Sequence, residues 1–265
     1  SVSPIAGKGD NMHRDYWYSS SRDPSRRASP ESVGRYAAER TLSRLSARRI
    51  PTGRYPVLFE APLAVGLIGS LVQATSGSAL YRKTSFLLDK LGKSVMAKHI
   101  DVLERPHLAA AMGSAPFDSE GVRTCDRDVV RGGELKGYFL SSYAGRKLGM
   151  PSTGNAGGSH NLLLSSRLTR PEDDLDAMLK KMGRGLLVTE LIGQGINYLT
   201  GDYSRGAFGY WVENGRIQHA VEEVTIAGNL AEMFAQIVAV GADTFAAGSK
   251  RTGSILIEQM SVAGS

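Results

Sequence analysis

Ala61-Pro-Leu-Ala-Val-Gly-Leu-Ile-Gly-Ser-Leu-Val-Gln-Ala-Thr-Ser-Gly77 is the longest apolar stretch of this 265-residue chain, and it follows a strand-like run, Pro56-Val-Leu-Phe-Glu60. Pro62 suits a first helical turn and Gly77 a C-terminal stop, so the stretch predicts a helix over 62–77. Leu63, Val65, Leu67, Ile68, Leu71 and Val72 point all round the helical wheel, which requires burial or an interface. None of its side chains titrates. At roughly 1.5–3 kcal/mol per buried large aliphatic, these six side chains rival the net stability of a whole domain, roughly 5–15 kcal/mol. The helix is therefore structural, and the rest of the chain must cover it.

Upstream, residues 1–29 are rich in Ser, Pro and Arg and form an extended lead-in segment whose aromatic knot, Tyr16-Trp17-Tyr18, has to pack on something. The remainder, residues 30–265, constitutes one domain. Ser29-Pro30-Glu31 starts a helix to about Ala47, with an apolar face of Val33, Ala37, Ala38, Leu42 and Leu45 and its arginines outward. Downstream, a short helix precedes Gly92 and a strand covers His99–Glu104. The run from Cys125 opens a strand pair turned at Gly132-Gly133, and a short helix surrounds Tyr143–Leu148. Thr169-Arg-Pro-Glu172 resembles a capping box for a helix to Met182. Short strands then follow at 186–190, 196–199, 207–212 and 216–221, with Asn214-Gly215 as a hairpin turn. Asn229 caps another helix, and 254–258 is a last strand. Short hairpin-linked strands with helices between them specify an α+β fold with mixed, largely antiparallel sheets.

Composition narrows the chemistry. Lys plus Arg exceed Asp plus Glu by 32 to 26, and the arginine-rich segment 22–54, with nine arginines against three acids, carries a surplus of the same size. Such a segment offers an acidic partner or phosphate a binding face, but only Tyr36 and Tyr55 interleave, which argues against nucleic acid. The single cysteine, Cys125, excludes an internal disulfide and suits a reducing compartment, so the expected location is cytoplasmic. Cys125 is expected in a strand. No run reaches the length of a membrane helix, and the start on Ser1 suggests that an upstream domain is missing.

No catalytic motif emerges. The histidines at 13, 99, 107, 160 and 219 have no zinc-helix spacing, and His219-Ala-Val-Glu222-Glu223 lies in a strand, where residues three apart face opposite sides. Gly154-Asn-Ala-Gly-Gly158 precedes a strand rather than a helix and so lacks the features of a phosphate cradle. The dozen residues Met150–Asn161 hold almost no core-forming side chains, so the loop is functional or mobile. Its polar cluster, Asn155, Ser159, His160 and Asn161, supplies the candidates for peptide or partner binding, although a turn satisfying its own amides explains it equally well. Asp118 with Glu120, and Asp126 with Asp128, would share a cation only on extended segments.

Several stretches together resemble the PmbA/TldD family, and more closely its PmbA (TldE) branch. They are Met12-His-Arg-Asp-Tyr-Trp-Tyr-Ser19, Ala37-Ala-Glu-Arg-Thr41, Leu80-Tyr-Arg-Lys-Thr-Ser-Phe-Leu-Leu-Asp89, Phe117-Asp-Ser-Glu-Gly-Val122, Met150-Pro-Ser-Thr-Gly-Asn-Ala-Gly-Gly158, Val224-Thr-Ile-Ala-Gly-Asn-Leu230 and Ile237-Val-Ala-Val-Gly241. The resemblance implies that the family's N-terminal domain is absent. In the TldD branch the helix corresponding to 62–77 carries His-Glu-x-x-x-His, and a cysteine near the C-terminus completes a zinc site. Counting back from Arg82-Lys83 places Gly69, Ser70 and Ala74 in those slots, with Thr252 near the cysteine. The resemblance thus implies a chain with no catalytic and no metal residues of its own, zinc being held by a TldD-type protease subunit. The implied assembly is a heterodimer that degrades or trims unfolded peptides, including peptide-antibiotic leaders, and that influences DNA gyrase indirectly. A homodimer is the alternative assembly. The alternative function is a binding module acting on gyrase or nucleic acid through residues 22–54.

Overall fold

The computed structural model describes residues 1–245 and 248–264. In chain order its strands are β1 (Ile5–Ala6), β2 (His13–Arg14), β3 (Gly53–Phe59), β4 (Ile100–Glu104), β5 (Arg127–Arg131), β6 (Glu134–Leu135), β7 (Leu162–Ser166), β8 (Gly185–Ile192), β9 (Asp202–Glu213), β10 (Arg216–Asn229), β11 (Ile237–Val240), β12 (Lys250–Arg251) and β13 (Ile255–Ala263). The helices are α1 (Pro30–Ser43), α2 (Ala61–Ala74), α3 (Gly77–Tyr81), α4 (Ser142–Leu148), α5 (Leu175–Met182) and α6 (Leu230–Ala235).

Two sheets build the core. One has the order β10-β9-β8-β3-β13-β11, and a further pairing of Thr225–Ala227 with Ser261–Ala263 joins β10 to β13, so five of its strands close into a ring. Closure needs curvature, and β10 supplies it with register shifts at Ile217/His219 and Val221/Val224 and a positive φ at Glu223. Strands β3, β8 and β13 are apolar at successive positions because both of their faces are covered. Val57, Phe59, Leu186, Val188, Ile255 and Ile257 belong to the main core, whereas Leu58, Leu187 and Leu256 meet Met178, Leu179 and Met182 of α5. The second sheet has the order β12-β7-β4-β5-β6. Helix α2 packs against β8 and β12 and so bridges the two sheets. Among the described strands only β3–β8 and β7–β12 pair in parallel. The α+β expectation with largely antiparallel sheets holds.

Local corrections follow from packing. Helix α2 ends at Ala74, and Gly77 is not its stop: it begins α3, capped by the Ser76 hydroxyl, where a Cβ would lie 2.4 Å from that of Ala144. Gly77 is there for close approach. Leu67, Ile68 and Leu71 are buried, but Gly66 and Gln73 are exposed, so one strip of α2 is uncovered. Helix α5 starts at Leu175 with Asp174 as cap. The proposed box at Thr169–Glu172 stays non-helical, and Asp173 instead accepts from Arg170 N at 2.9 Å and from Lys181 Nζ at 2.6 Å. Residues 84–91 form turns rather than a helix, Ile196 makes a single bridge to Tyr203, and Cys125 is exposed outside any strand. The Asn214-Gly215 hairpin forms as expected, with φ of 52° and 68°.

The buried face of α1 differs most from expectation. Val33, Ala37, Thr41 and Arg44 point inward, while Leu42 is 57% exposed. The lead-in segment sets this rotation. Residues 1–29 fold back as the β1–β2 pair with Val2 bridging Trp17, which delivers Asp15 to the arginines of α1.

Candidate functional site

The loop between α4 and β7 is organised by one buried carboxylate, Glu104 at the end of β4. Its Oε1 accepts from Asn155 Nδ2 at 2.9 Å and His160 N at 2.8 Å, and its Oε2 pairs with Arg127 Nε at 2.6 Å. Arg127 also donates to Tyr138 O and stacks 4.8 Å from the Phe139 ring. Asn155 spends its remaining capacity on Gly158 O and Thr153 Oγ1, and the His160 ring lies 2.9 Å from Gly154 O. Asn161 ties a second loop to β7, accepting from Gly113 N and donating to Arg105 O and Ser114 Oγ. Ser159 and His160 remain half-buried. The four candidates therefore share one ordered loop, but the two asparagine side chains are engaged within the fold.

The acidic pairs diverge. Asp118 accepts from the main-chain nitrogens of Glu120, Val122 and Ala156; burial works against its charge, yet these donors hold its pKa below the ordinary carboxylate value. Glu120 accepts from Ser142 N at the start of α4, and Asp126 and Asp128 both face Arg105. None of these arrangements pools oxygens around a cation.

The positions corresponding to a zinc site lie on the part of α2 near β12. Gly69 is half-buried, and a Cβ there would sit 4.0 Å from Lys250 Cε. Ser70 donates back to Gly66 O at 3.2 Å, Ala74 is fully buried, and Thr252 is buried with an unpartnered hydroxyl. Zinc is bound by thiolate, imidazole or carboxylate donors, and these four residues offer none. Among the described residues no group of three or more His, Cys, Asp or Glu is placed to hold a metal ion. In the His219 segment, Glu222 faces His13 at 3.6 Å and Glu223 pairs with Arg49. The residues present do not fit a zinc centre.

Sequence reasoning missed the densest charge cluster, which lies beside the N-terminus of α2. Asp15 Oδ2 accepts from Arg40 Nε at 3.2 Å and from Arg44 Nε at 2.9 Å; Arg40 Nη1 continues to Glu60 Oε1 at 2.7 Å, and Arg44 pairs with Glu190. The guanidinium of Arg44 stacks 4.1 Å from Phe208, and that of Arg40 lies 5.1 Å from Trp17. Burial opposes the Arg40 charge, but Glu60 and Asp15 outweigh it and raise its pKa. For Glu60, burial prevails over the Arg40 attraction and lifts its carboxyl above the usual glutamate value, with Oε2 buried and unpartnered. The available signal was the position of Arg40 and Arg44 on the same helical face as Val33, Ala37 and Thr41. Outward-facing arginines are thus incorrect at these two positions, and with Arg49 paired to Glu223 the arginine-rich segment presents less free charge than its composition suggests.

A cavity of about 390 Å³ opens next to this cluster, between the lead-in segment, the 108–112 loop, the start of β7 and β12. Trp17, Tyr18 and Phe245 wall it, and Asn161 reaches it. Trp17 and Phe245 have ring centroids 5.3 Å apart, and Tyr18 and Phe245 5.5 Å. The aromatic knot of the lead-in segment has found its packing partner here.

Residues 52–264 match the family described as PmbA/TldA metallopeptidase C-terminal domain. The chain is 49% identical over 260 residues to Metalloprotease PmbA of Escherichia coli O157:H7, covering 98% of this chain and 57% of that protein. It is 48% identical over 264 residues to a Metalloprotease PmbA homolog of Haemophilus influenzae, covering 100% of this chain and 58% of the relative. A crystal structure from Bacteroides thetaiotaomicron, named as a candidate modulator of DNA gyrase, superposes with a TM-score of 0.92 at 30% identity over 99% of this chain and 59% of that one. The chain therefore spans somewhat over half the length of these relatives.

Proposed function

The chain belongs to the PmbA/TldD metallopeptidase family, and on that premise we propose that it is the non-catalytic part of a TldD-type zinc protease complex that trims or degrades unfolded peptides. One observation carries this reading: Gly69, Ser70, Ala74 and Thr252 contain no imidazole, thiolate or carboxylate. Zinc-dependent hydrolysis needs about three protein ligands, an open position for water and a group that takes the proton. A subunit that carries zinc and the base would supply all of these, leaving this chain to complete the walls of a peptide chamber. With small and aliphatic residues, α2 can then pack as core rather than hold desolvated charge.

On this reading the partner is a TldD-type subunit, the substrate an unstructured peptide, and zinc belongs to the partner. The loop holding Asn155, Ser159, His160 and Asn161 is a rigid surface for peptide or partner, with Ser159 and His160 as its accessible members. Any effect on gyrase is indirect. The competing module, acting on gyrase or nucleic acid through residues 22–54, is weakened because Arg40, Arg44 and Arg49 are committed to carboxylates. We place the protein in the cytoplasm, where the exposed thiol of Cys125 stays reduced; among the described residues no helix is long and apolar enough to cross a membrane.

The test is cleavage of an unstructured peptide by the full-length protein, alone and mixed with a TldD-type subunit, with and without chelator. Activity confined to the mixture and lost with chelator is expected. Chelator-resistant cleavage by this protein alone would overturn the reading.

A further inference from the structure

The cavity beneath the aromatic knot has a chemistry that the complex reading leaves unused. Trp17, Tyr18 and Phe245 form its apolar wall, and Arg22, Arg26 and Arg251, all three exposed, also line it. No Asp or Glu is among the described residues that line it. Among the described residues Arg22 donates one bond to Ala111 O and Arg251 one to Thr244 Oγ1, and of the three only Arg26 has a carboxylate neighbour, Asp23 at 3.2 Å. An arginine fork has five N–H donors, so most of this capacity is free.

Three cations over an aromatic floor select an amphipathic anion: a flat or aliphatic body for the wall and a planar oxyanion for the forks. At about 390 Å³ the space is near the lower end of ligand pockets, roughly 300–1,000 Å³, which suits the end of a chain better than a through-running segment. The geometry points to a binding site for the C-terminus of a peptide, its carboxylate on the arginines and its last, apolar side chain against Trp17 and Phe245. A C-terminal residue carries both groups on one carbon and engages both surfaces at once, whereas an internal acidic residue needs room for chain on either side. A nucleotide would gain the aromatic wall, but its phosphates are favoured by a helix N-terminus, and no α-helical residue is among the described residues that line the cavity. This inference rests on the peptide reading above, and it is tested by binding rather than by proteolysis.

Calorimetric titration of the full-length protein compares N-acetyl-Leu-Phe as the free acid with the same dipeptide as its amide, and with AMP. The acid is expected to bind about tenfold more tightly than the amide, three solvent-facing arginines each contributing a small factor. Raising the salt concentration should shrink this preference. The double variant Arg22→Gln/Arg251→Gln should lose most of this preference, keeping only the share of Arg26, while retaining its affinity for the amide. If the double variant does not fold, Arg251→Gln alone should show an intermediate preference. Equal binding of acid and amide by the wild type, no binding of either, or AMP binding in preference to the acid would each overturn the proposal. A protein that binds the acid as expected but forms no active mixture with a TldD-type subunit would overturn the complex reading and leave this site standing. An active mixture without acid binding would do the reverse.

Discussion

Asp15→Asn tests whether electrostatics rather than hydrophobic patterning orients α1. Asp15 is 4% exposed; its Oδ2 accepts from Arg40 and Arg44, and its Oδ1 accepts from Tyr16 N at 2.7 Å. Asparagine keeps the volume but replaces one oxygen with an N–H₂ donor, so however the amide is turned, an N–H faces an N–H. Removing one partner of a buried ion pair costs about 3–5 kcal/mol. Here Arg40 keeps Glu60 and Arg44 keeps Glu190, which places the expected loss at the lower end, about 3 kcal/mol. Against a net stability of roughly 5–15 kcal/mol this is a large fraction, and urea unfolding should show it as a lower midpoint with an unchanged slope. The loss should persist between about 0.1 M and about 1 M salt, because buried pairs are poorly screened. Trypsin should also cut faster at Arg14 and Arg22 as the lead-in segment loosens. A loss under about 1 kcal/mol would refute the reasoning, since that is the size of a solvent-exposed pair.

Three further outcomes are expected. Gly77→Ala should lower the thermal midpoint by an amount equivalent to about 1–3 kcal/mol of overpacking, because its Cβ would press on Ala144 and Leu140; an unchanged midpoint would show that α3 and α4 part freely. Glu60 has its folded-state pKa raised by burial, so its contribution is complete below the ordinary glutamate value and is lost as pH rises through the folded one. The stability of wild type minus that of Glu60→Gln should therefore fall as the pH rises above the ordinary glutamate range, and a difference that grows with pH would contradict the assignment. Finally, stoichiometric zinc or a chelator should leave the melting temperature of the protein alone unchanged, since a ligand raises stability only by binding the native state; a rise with zinc would reveal a metal site that the donor set does not predict.

What the sequence determined by itself is local and periodic. The apolar helix α2, the Ser29-Pro30 helix start, the Asn214-Gly215 hairpin and the Asn229 cap each follow from residues within a few positions, and each formed, although α2 stops at Ala74 and leaves one strip uncovered. The absence of zinc donors on α2 was equally readable, because no change of register brings His, Glu, Asp or Cys between positions 61 and 88. The tertiary structure alone decided how the second half of α1 is turned: Val33 and Ala37 are buried as their spacing predicts, but Arg40 and Arg44 take the inward positions and Leu42 does not. Helical periodicity favours Leu42 for the core, but Asp15, Glu60 and Glu190 arrive from three distant segments and neutralise Arg40 and Arg44, and the helix turns to meet them. The same applies to the polar loop, where the cluster of Asn155, His160 and Asn161 was visible but the carboxylate that orders it, Glu104, lies about fifty positions upstream. Charge pairing across the chain has no period for a sequence to display. It is settled only when the closed sheet and α2 bring those segments within reach of one another.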